Sequence, residues 1–208
     1  MKIGILGAGN IGGTLAKHWT KVGHFVFVSS RHPNDLQKLV KEAGPAAQAG
    51  TLEDAVRFGD SVVLAIPWRK KEDLPSPLLF QGKIVVDAMN PYSSLGRVME
   101  LGDSTSSEEV AKIIPEARLV KAFNTMGAND LKNEAFKTGK DRLAIFVAGN
   151  DQEAKRTVSG LIEDIGFVPM DTGSLRDGGR LQQPGSPIYN IRLTEDQARS
   201  SLQSVKKS

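Results

Sequence analysis

The chain opens on a short apolar strand that runs straight into a glycine-rich turn, and nothing else in it restricts the fold so tightly. Lys2-Ile3-Gly4-Ile5-Leu6 is followed at once by Gly7-Ala8-Gly9-Asn10-Ile11-Gly12, a GxGxxG pattern. Ile11, Leu15, Trp19 and Val22 then recur at helical spacing, and Phe25-Val26-Phe27-Val28 forms a second apolar run. A glycine-rich turn alone says little. Between a strand and a helix that leads to another strand, it marks a βαβ unit built to hold a dinucleotide. Gly7 permits the tight turn, Gly9 lets backbone N–H groups approach a pyrophosphate, and Gly12 lets helix and strand pack closely. The phosphates then sit at the positive end of the helix.

The end of the second strand separates NAD from NADP. An NAD site places a carboxylate there to hydrogen-bond the ribose 2′-OH. Ser29-Ser30-Arg31-His32 stands there instead, with no acid before Asp35. A serine hydroxyl and a guanidinium fork suit a 2′-phosphate, which a carboxylate would repel. The alternative is that Ser30 and Arg31 are ordinary loop residues; the position favours an NADP(H) site.

Composition removes other classes. The 208 residues suffice for one doubly wound domain with a sizeable core. A net charge of +3, spread evenly, argues against a nucleic-acid partner. The absence of cysteine excludes disulfides, thiolate nucleophiles and cysteine metal sites. His18, His24 and His32 form no ligand cluster, so no metal site is expected. No apolar run approaches the ~20 residues that cross a bilayer. Entry into a strand at Lys2 leaves no room for a signal peptide. A cytoplasmic protein without membrane partners is expected.

Strand and helix signals alternate along the chain. Helices are expected over 34–42, from Thr51, over 106–114 and from Asp151 to Ile165; further strands over 46–49, 61–66, 83–88, 118–123, 143–147 and 167–170. This rhythm predicts an α/β fold: a doubly wound, mostly parallel Rossmann-type sheet with right-handed crossovers. Residues 1–208 read as one domain, with a core over 1–173. The short tail over 174–208 would complete the cleft or a dimer contact. Gln182-Gln183-Pro184-Gly185-Ser186-Pro187 interrupts any helix there and leads into a polar terminal segment.

Ligands of such sheets bind beyond the carboxyl ends of the strands, where the strand order reverses. The fourth strand ends Ala65-Ile66-Pro67-Trp68, an apolar turn able to flank a nicotinamide; Trp68 also reads as a core or interface anchor. Asn90 and Asn124, after the fifth and sixth strands, suit a carboxamide or else form Asx turns and caps. Asp87 reads as a loop cap rather than a base.

Beyond these local signals, the chain resembles the NADPH-dependent coenzyme F420 reductases, also called F420-dependent NADP oxidoreductases. The resemblance rests on GILGAGNIGGTLA near the N-terminus, Ser29-Ser30-Arg31, AIPW at 65–68, VKAFNT at 120–125, VAGNDQEAK at 147–155 and GFVPMDTGSLRDGGRL at 166–181. It implies hydride transfer between NADPH and a deazaflavin. It also implies that Gly7, Gly9, Asn10 and Ile11 bind the pyrophosphate, Ser30 and Arg31 the 2′-phosphate, and that Met126 and Ala128 lie along the nicotinamide. The nucleotide-binding part is similar as well to the cytosolic portion of membrane metalloreductases, where the acceptor is a flavin.

Missing residues point the same way. A carbonyl reductase needs a positioned acid, and the Tyr-x-x-x-Lys pattern is absent: Gly96 lies four residues after Tyr92, and Leu193 four after Tyr189. The tail is too short for the helical second domain of β-hydroxyacid dehydrogenases. Hydride transfer to a flavin or deazaflavin needs orientation more than side-chain chemistry, so no general acid or base is assigned. The leading expectation is an NADPH-dependent oxidoreductase with a planar small-molecule acceptor, coenzyme F420 or flavin-like. An imine or carbonyl reductase, with Tyr189 or a water as acid, and a non-enzymatic NADP(H)-binding sensor are the alternatives. Phe80, Tyr92, Phe136 and Tyr189 are expected to offer apolar surface beside the cleft, in a homodimer with the tail near the partner's cleft.

Overall fold

The computed structural model describes residues 1–205. Its strands are β1 (Lys2–Leu6), β2 (Phe25–Ser29), β3 (Ala47–Gly50), β4 (Ser61–Leu64), β5 (Ile84–Asp87), β6 (Arg118–Ala122), β7 (Ala144–Gly149) and β8 (Val168–Gly173). They form one sheet in the order β3-β2-β1-β4-β5-β6-β7-β8. The first six are parallel, and the order reverses direction between β1 and β4.

The helices are α1 (Asn10–Lys21), α2 (Gln37–Ala43), α3 (Leu52–Phe58), α4 (Ser106–Ile113), α5 (Ala128–Asn133), α6 (Gln152–Asp164), α7 (Asp177–Leu181) and α8 (Glu195–Val205). Alternate strand residues feed opposite faces of the sheet. Ile3, Ile5, Val63, Val86 and Val120 join Leu15 and Trp19 of α1 and Val158, Leu161 and Ile162 of α6 in one core layer. Val62, Leu64, Val85 and Leu119 join Ala55 of α3 and Val110 of α4 in the other. Complete burial of each large aliphatic side chain contributes ~1.5–3 kcal/mol. Trp19 also ties the two helices of its layer together, its indole N–H donating to the Leu161 carbonyl at 3.0 Å.

Four expectations need correction. The sheet is mostly parallel, as expected, but crossovers do not join all of its strands: β7 runs antiparallel to β6, and β8 pairs parallel to β7. The connection over 123–143 leaves and re-enters the sheet at the same end, so it makes no crossover. The helix expected over 34–42 starts as a 3-10 turn, Pro33–Leu36, with proline at its first position, before α2. The tail is not simply polar. Its break ends α7, but α8 forms beyond it, and Leu181, Ile188, Leu193, Ala198 and Leu202 cover Ala144, Phe146, Val168 and Met170 of β7 and β8. Finally, Phe80 is fully buried and Phe136 packs edge-on to His18 under the Lys21 ammonium, so neither is open surface. Among the described residues no helix is long and apolar enough to cross a membrane, and no cluster of three acidic or histidine groups could hold a metal ion.

Candidate functional site

The carboxyl ends of β2, β1, β4 and β5 open onto one cleft of about 740 Å³. Adjacent strands are ~4.8 Å apart, so their order lays out the cleft as a track. Ser30 and Arg31 stand at the β2 end, and Gly7, Ala8, Gly9 and Ile11 follow β1. Ile66, Pro67 and Trp68 follow β4, and Asn90 and Tyr92 follow β5.

The floor after β1 is backbone. Gly7 takes a φ of +103°, a left-handed conformation that favours glycine, and a Cβ there would meet the Ala65 carbonyl at 2.5 Å. A Cβ on Gly12 would lie 2.0 Å from the Gly7 carbonyl oxygen, so α1 can touch the turn only through a glycine. A Cβ on Gly9 would meet nothing within 4 Å, because that face looks into the cleft. Helices α3 and α4 begin with capping boxes, Thr51 with Asp54 and Thr105 with Glu108, and Asp151 caps α6. Helix α1 begins at Gly9 with no side-chain cap and no acid in its first turn. Its first N–H groups and the positive end of its dipole therefore face the cleft without an internal anion, which is the arrangement a pyrophosphate requires.

The rim near β2 is cationic. Arg31 is exposed, and the Ser30 hydroxyl accepts the His32 backbone N–H at 3.0 Å, a local turn that sets the loop. Arg69 and Lys70 line the opposite wall, with Asp73 3.2 Å from the Lys70 ammonium.

Beyond β5 and β6 the wall is made of paired side chains. Trp68 is buried, its indole N–H donating to the Ser106 carbonyl at 3.0 Å, and the Lys71 ammonium lies 4.1 Å from its ring. It is thus a core anchor that shows one edge to the cleft. Asp87 and Lys121 form an ion pair at 3.1 Å with almost no exposure of either side chain. Asp87 also accepts the Met89 backbone N–H and the Ser107 hydroxyl, while Lys121 donates to the Met89 carbonyl and the Ser106 hydroxyl. Burial pushes the Lys121 ammonium below its usual pKa, against the opposing pull of Asp87. Asp87 caps the Met89 N–H, in keeping with the loop cap its strand-end position suggested, and braces Lys121 as well, which was not expected.

Asn90 and Asn124 bind each other. The Asn90 amide donates to the Asn124 carbonyl at 2.9 Å; the Asn124 amide donates to Asn90 Oδ1 at 3.1 Å and to the Gln182 carbonyl at 2.7 Å. Asn124 Oδ1 is buried and has no protein partner among the described residues. Phe123, at φ +65°, turns the chain out of β6 just before Asn124. Farther out, the hydroxyls of Tyr92 and Tyr189 meet at 3.0 Å. Burial and the contact with Tyr92 push the Tyr189 phenol well above its ordinary pKa.

Of the residues expected at the site, Gly7, Ala8, Gly9, Ile11, Ser30, Arg31, Ile66, Pro67, Trp68 and Asn90 line this cleft. Asn10 and Ala128 line a neighbouring groove across α1, α2 and α5, which shares Ala8 and Gly9 with it. Gly12 is buried, and Met126 packs half-buried against the core. Arg69, Lys70 and Met89 are among the further lining residues that were not expected, and Tyr92, expected only as apolar surface beside the cleft, lines it too. The basic run after Pro67 was a readable signal for the first two. The pairing of Tyr92 with Tyr189 had none, because the two are 97 residues apart.

Residues 2–91 match the family model described as NADP oxidoreductase, coenzyme F420-dependent. The F420-dependent NADP reductase of Methanocaldococcus jannaschii is 29% identical over 199 residues, covering 84% of this chain and 85% of that protein. The rat metalloreductase STEAP3 is 32% identical over 176 residues, 84% of this chain but 34% of its own length. The chain thus spans about a third of the metalloreductases it matches. The crystal structure of the protein SMa0349 from Sinorhizobium meliloti superposes with a TM-score of 0.85 at 34% identity, covering 94% of this chain and 96% of that one.

Proposed function

We propose that the chain, whose residues 2–91 match the coenzyme F420-dependent NADP oxidoreductase family and which is similar over most of its length to one F420-dependent NADP reductase, binds NADPH along the cleft and passes a hydride to a planar acceptor at the β5 end. The observation that carries this reading is the acid-free Ser30-Arg31 turn opening onto the uncapped start of α1. Arg31, with Ser30, holds the 2′-phosphate by charge-assisted hydrogen bonds. The N–H groups after Gly7, Gly9, Asn10 and Ile11 hold the pyrophosphate. Ile66 and Pro67, with the exposed edge of Trp68, form the apolar wall beside the nicotinamide, and Asn90 closes it. Met126 and Ala128 support the same end from the core and from α5.

When bound, NADPH supplies two electrons and a proton from nicotinamide C4: that C–H bond breaks, a bond to hydrogen forms on the acceptor, the nicotinamide is oxidised and the acceptor reduced. The chain's own contribution is orientation, with reacting atoms held at about 3–3.5 Å. The acceptor in this reading is coenzyme F420 or a flavin. An imine or carbonyl reductase, the second reading, would use a positioned acid; the Tyr189 phenol, pushed above its ordinary value, is a weaker acid than that role favours.

The test is NADPH oxidation followed at the nicotinamide absorbance, with F420, FMN and menadione as acceptors and NADH as the alternative donor. Turnover with at least one planar acceptor and a marked preference for NADPH are expected. No oxidation with any of them would overturn the reading in favour of an NADP(H) sensor. A cytoplasmic homodimer is part of the same proposal. The exposed Leu95, Val98 and Ile191 near the two tyrosines support the association alone, and light scattering at the monomer mass of 22.4 kDa would reject the dimer.

A further inference from the structure

Tyr92 and Tyr189 are the only two tyrosines of the chain, and their hydroxyls meet at 3.0 Å. Neither side chain arrives there by chance of a loose loop. Tyr92 follows the Asn90-Pro91 end of β5 and bridges Val98, while the Met99 backbone N–H donates to the Pro91 carbonyl at 2.8 Å. Tyr189 lies between Ile188, buried in the tail's core, and Asn190, whose backbone N–H donates to the Thr125 carbonyl at 2.8 Å. The tail is thereby fastened over the end of β6, and its tyrosine is delivered to the one lining the cleft.

Two phenols that share one hydrogen bond hold two protons. One proton is spent between the oxygens. The other has no protein acceptor among the described residues and is left to point at whatever fills the cleft. Tyr92 is the member on the cleft wall, so the useful arrangement has Tyr189 donating to Tyr92 and Tyr92 donating onward. Hydrogen bonds in series strengthen one another. Tyr189's raised pKa keeps its phenol protonated through the neutral range.

We propose that Tyr92 hydrogen-bonds a ring carbonyl oxygen of the hydride acceptor, and that Tyr189 is the positioning residue that orients and polarises it. The acceptor class is narrowed to planar rings that carry a carbonyl conjugated with the site of reduction, such as flavins, deazaflavins and quinones. Hydride arrival pushes electron density onto that oxygen, where the hydrogen bond donated by the Tyr92 hydroxyl stabilises it, and solvent supplies the neutralising proton. This inference rests on the NADPH-reductase reading above.

The test compares wild type with Tyr92→Phe and Tyr189→Phe, whose rings still fill the same space. Binding is read by quenching of FMN fluorescence with NADP⁺ present, and turnover by NADPH oxidation with FMN, menadione and methylene blue, a planar acceptor without a ring carbonyl. Loss of the outward bond in Tyr92→Phe should weaken FMN and lower kcat/KM for FMN and menadione by about tenfold. Tyr189→Phe should do so by roughly threefold. NADPH affinity should hold, the methylene blue rate should fall less than the FMN and menadione rates, and the melting temperature should drop by only ~2–4 °C for the one hydrogen bond lost. Equal losses with methylene blue would reduce the pair to a structural contact, and unchanged FMN binding and turnover in both variants would overturn the proposal. If wild-type protein oxidises NADPH with none of these acceptors, the reductase reading itself fails.

Discussion

The two ends of the cleft are built from different materials. At the β1–β2 end the work is done by backbone: a left-handed Gly7, a glycine contact at Gly12, and helical N–H groups that no side chain has claimed. At the β5–β6 end, pairs of side chains from distant parts of the chain do it: Asp87 with Lys121, Asn90 with Asn124, Tyr92 with Tyr189. A backbone site needs only a few residues in a row and recognises what every dinucleotide has in common, its phosphates. A side-chain site can be varied pair by pair without touching the first, which suits the end at which we propose that the acceptor is selected.

The largest expected effects come from breaking the backbone end at two glycines that differ in one respect. Gly12→Val should remove both cofactor binding and stability, because its Cβ would press on the Gly7 carbonyl at 2.0 Å. Gly9→Val should keep the fold by circular dichroism while losing NADPH, since a Cβ there meets no protein atom within 4 Å. A normal thermal shift of Gly9→Val on adding NADPH would show that the phosphates lie elsewhere.

Next in size is the brace of the other end. Lys121→Met leaves the Asp87 carboxylate buried without its counter-ion, and loss of one partner of a buried pair costs about 3–5 kcal/mol. At ~2–4 °C per kcal/mol for a domain of this size, the melting temperature should fall by roughly 10 °C. Burial already holds Lys121 below its usual pKa, so the pair is expensive to keep. Replacing both members, Lys121→Met with Asp87→Leu, should recover part of the loss. A double variant less stable than Lys121→Met would show that the Ser106, Ser107 and Met89 contacts carry more than the ion pair does.

Arg31 tests the discrimination at the β2 end. A hydrogen bond to a charged group is worth about 1.5–3 kcal/mol, so Arg31→Ala should weaken NADPH by roughly 10- to 100-fold and barely touch NADH. Equal losses for the two, by fluorescence titration, would take the 2′-phosphate away from this arginine and leave it to Arg69 and Lys70.

The contrast between the ends also explains what could be read in the chain. The strands are local signals, and Val62-Val63-Leu64 and Ile84-Val85-Val86 announce themselves as runs buried on both faces. The glycine-turn end is legible for the same reason, being a contiguous motif. The reversal of β7 is not, because it depends on where the connection after β6 travels, and no residue in β7 encodes its direction. Helix α8 was hidden by its polar composition; what holds it is Ala198 and Leu202 against Ala144 and Met170. The side-chain pairs were invisible as pairs. Asn90 and Asn124 were picked out as amides at strand ends, yet that they satisfy each other depends on the sheet setting β5 beside β6 and on Gln182 reaching back from the tail.

The smallest expected effect is spectroscopic, and it probes the side-chain end without perturbing it. With only two tyrosines in the chain, the absorbance change near 295 nm on raising the pH counts phenolate directly. Burial and the neighbouring Tyr92 hold Tyr189 above the ordinary value of 10.0, so its ionisation should lag behind a free tyrosine's. Because the folded pKa lies above the unfolded one, the stabilisation linked to this group is complete below about pH 10 and is lost as the pH climbs towards the folded value. Alkaline unfolding should therefore accompany the late titration. In Tyr92→Phe the hydroxyl contact is gone while the ring still shields Tyr189, so the lag should shrink but persist, burial being the larger cause. A Tyr189 that titrates at the ordinary value in the folded protein would mean that the tail does not close on the β5 end in solution, and that the side-chain half of the site is open.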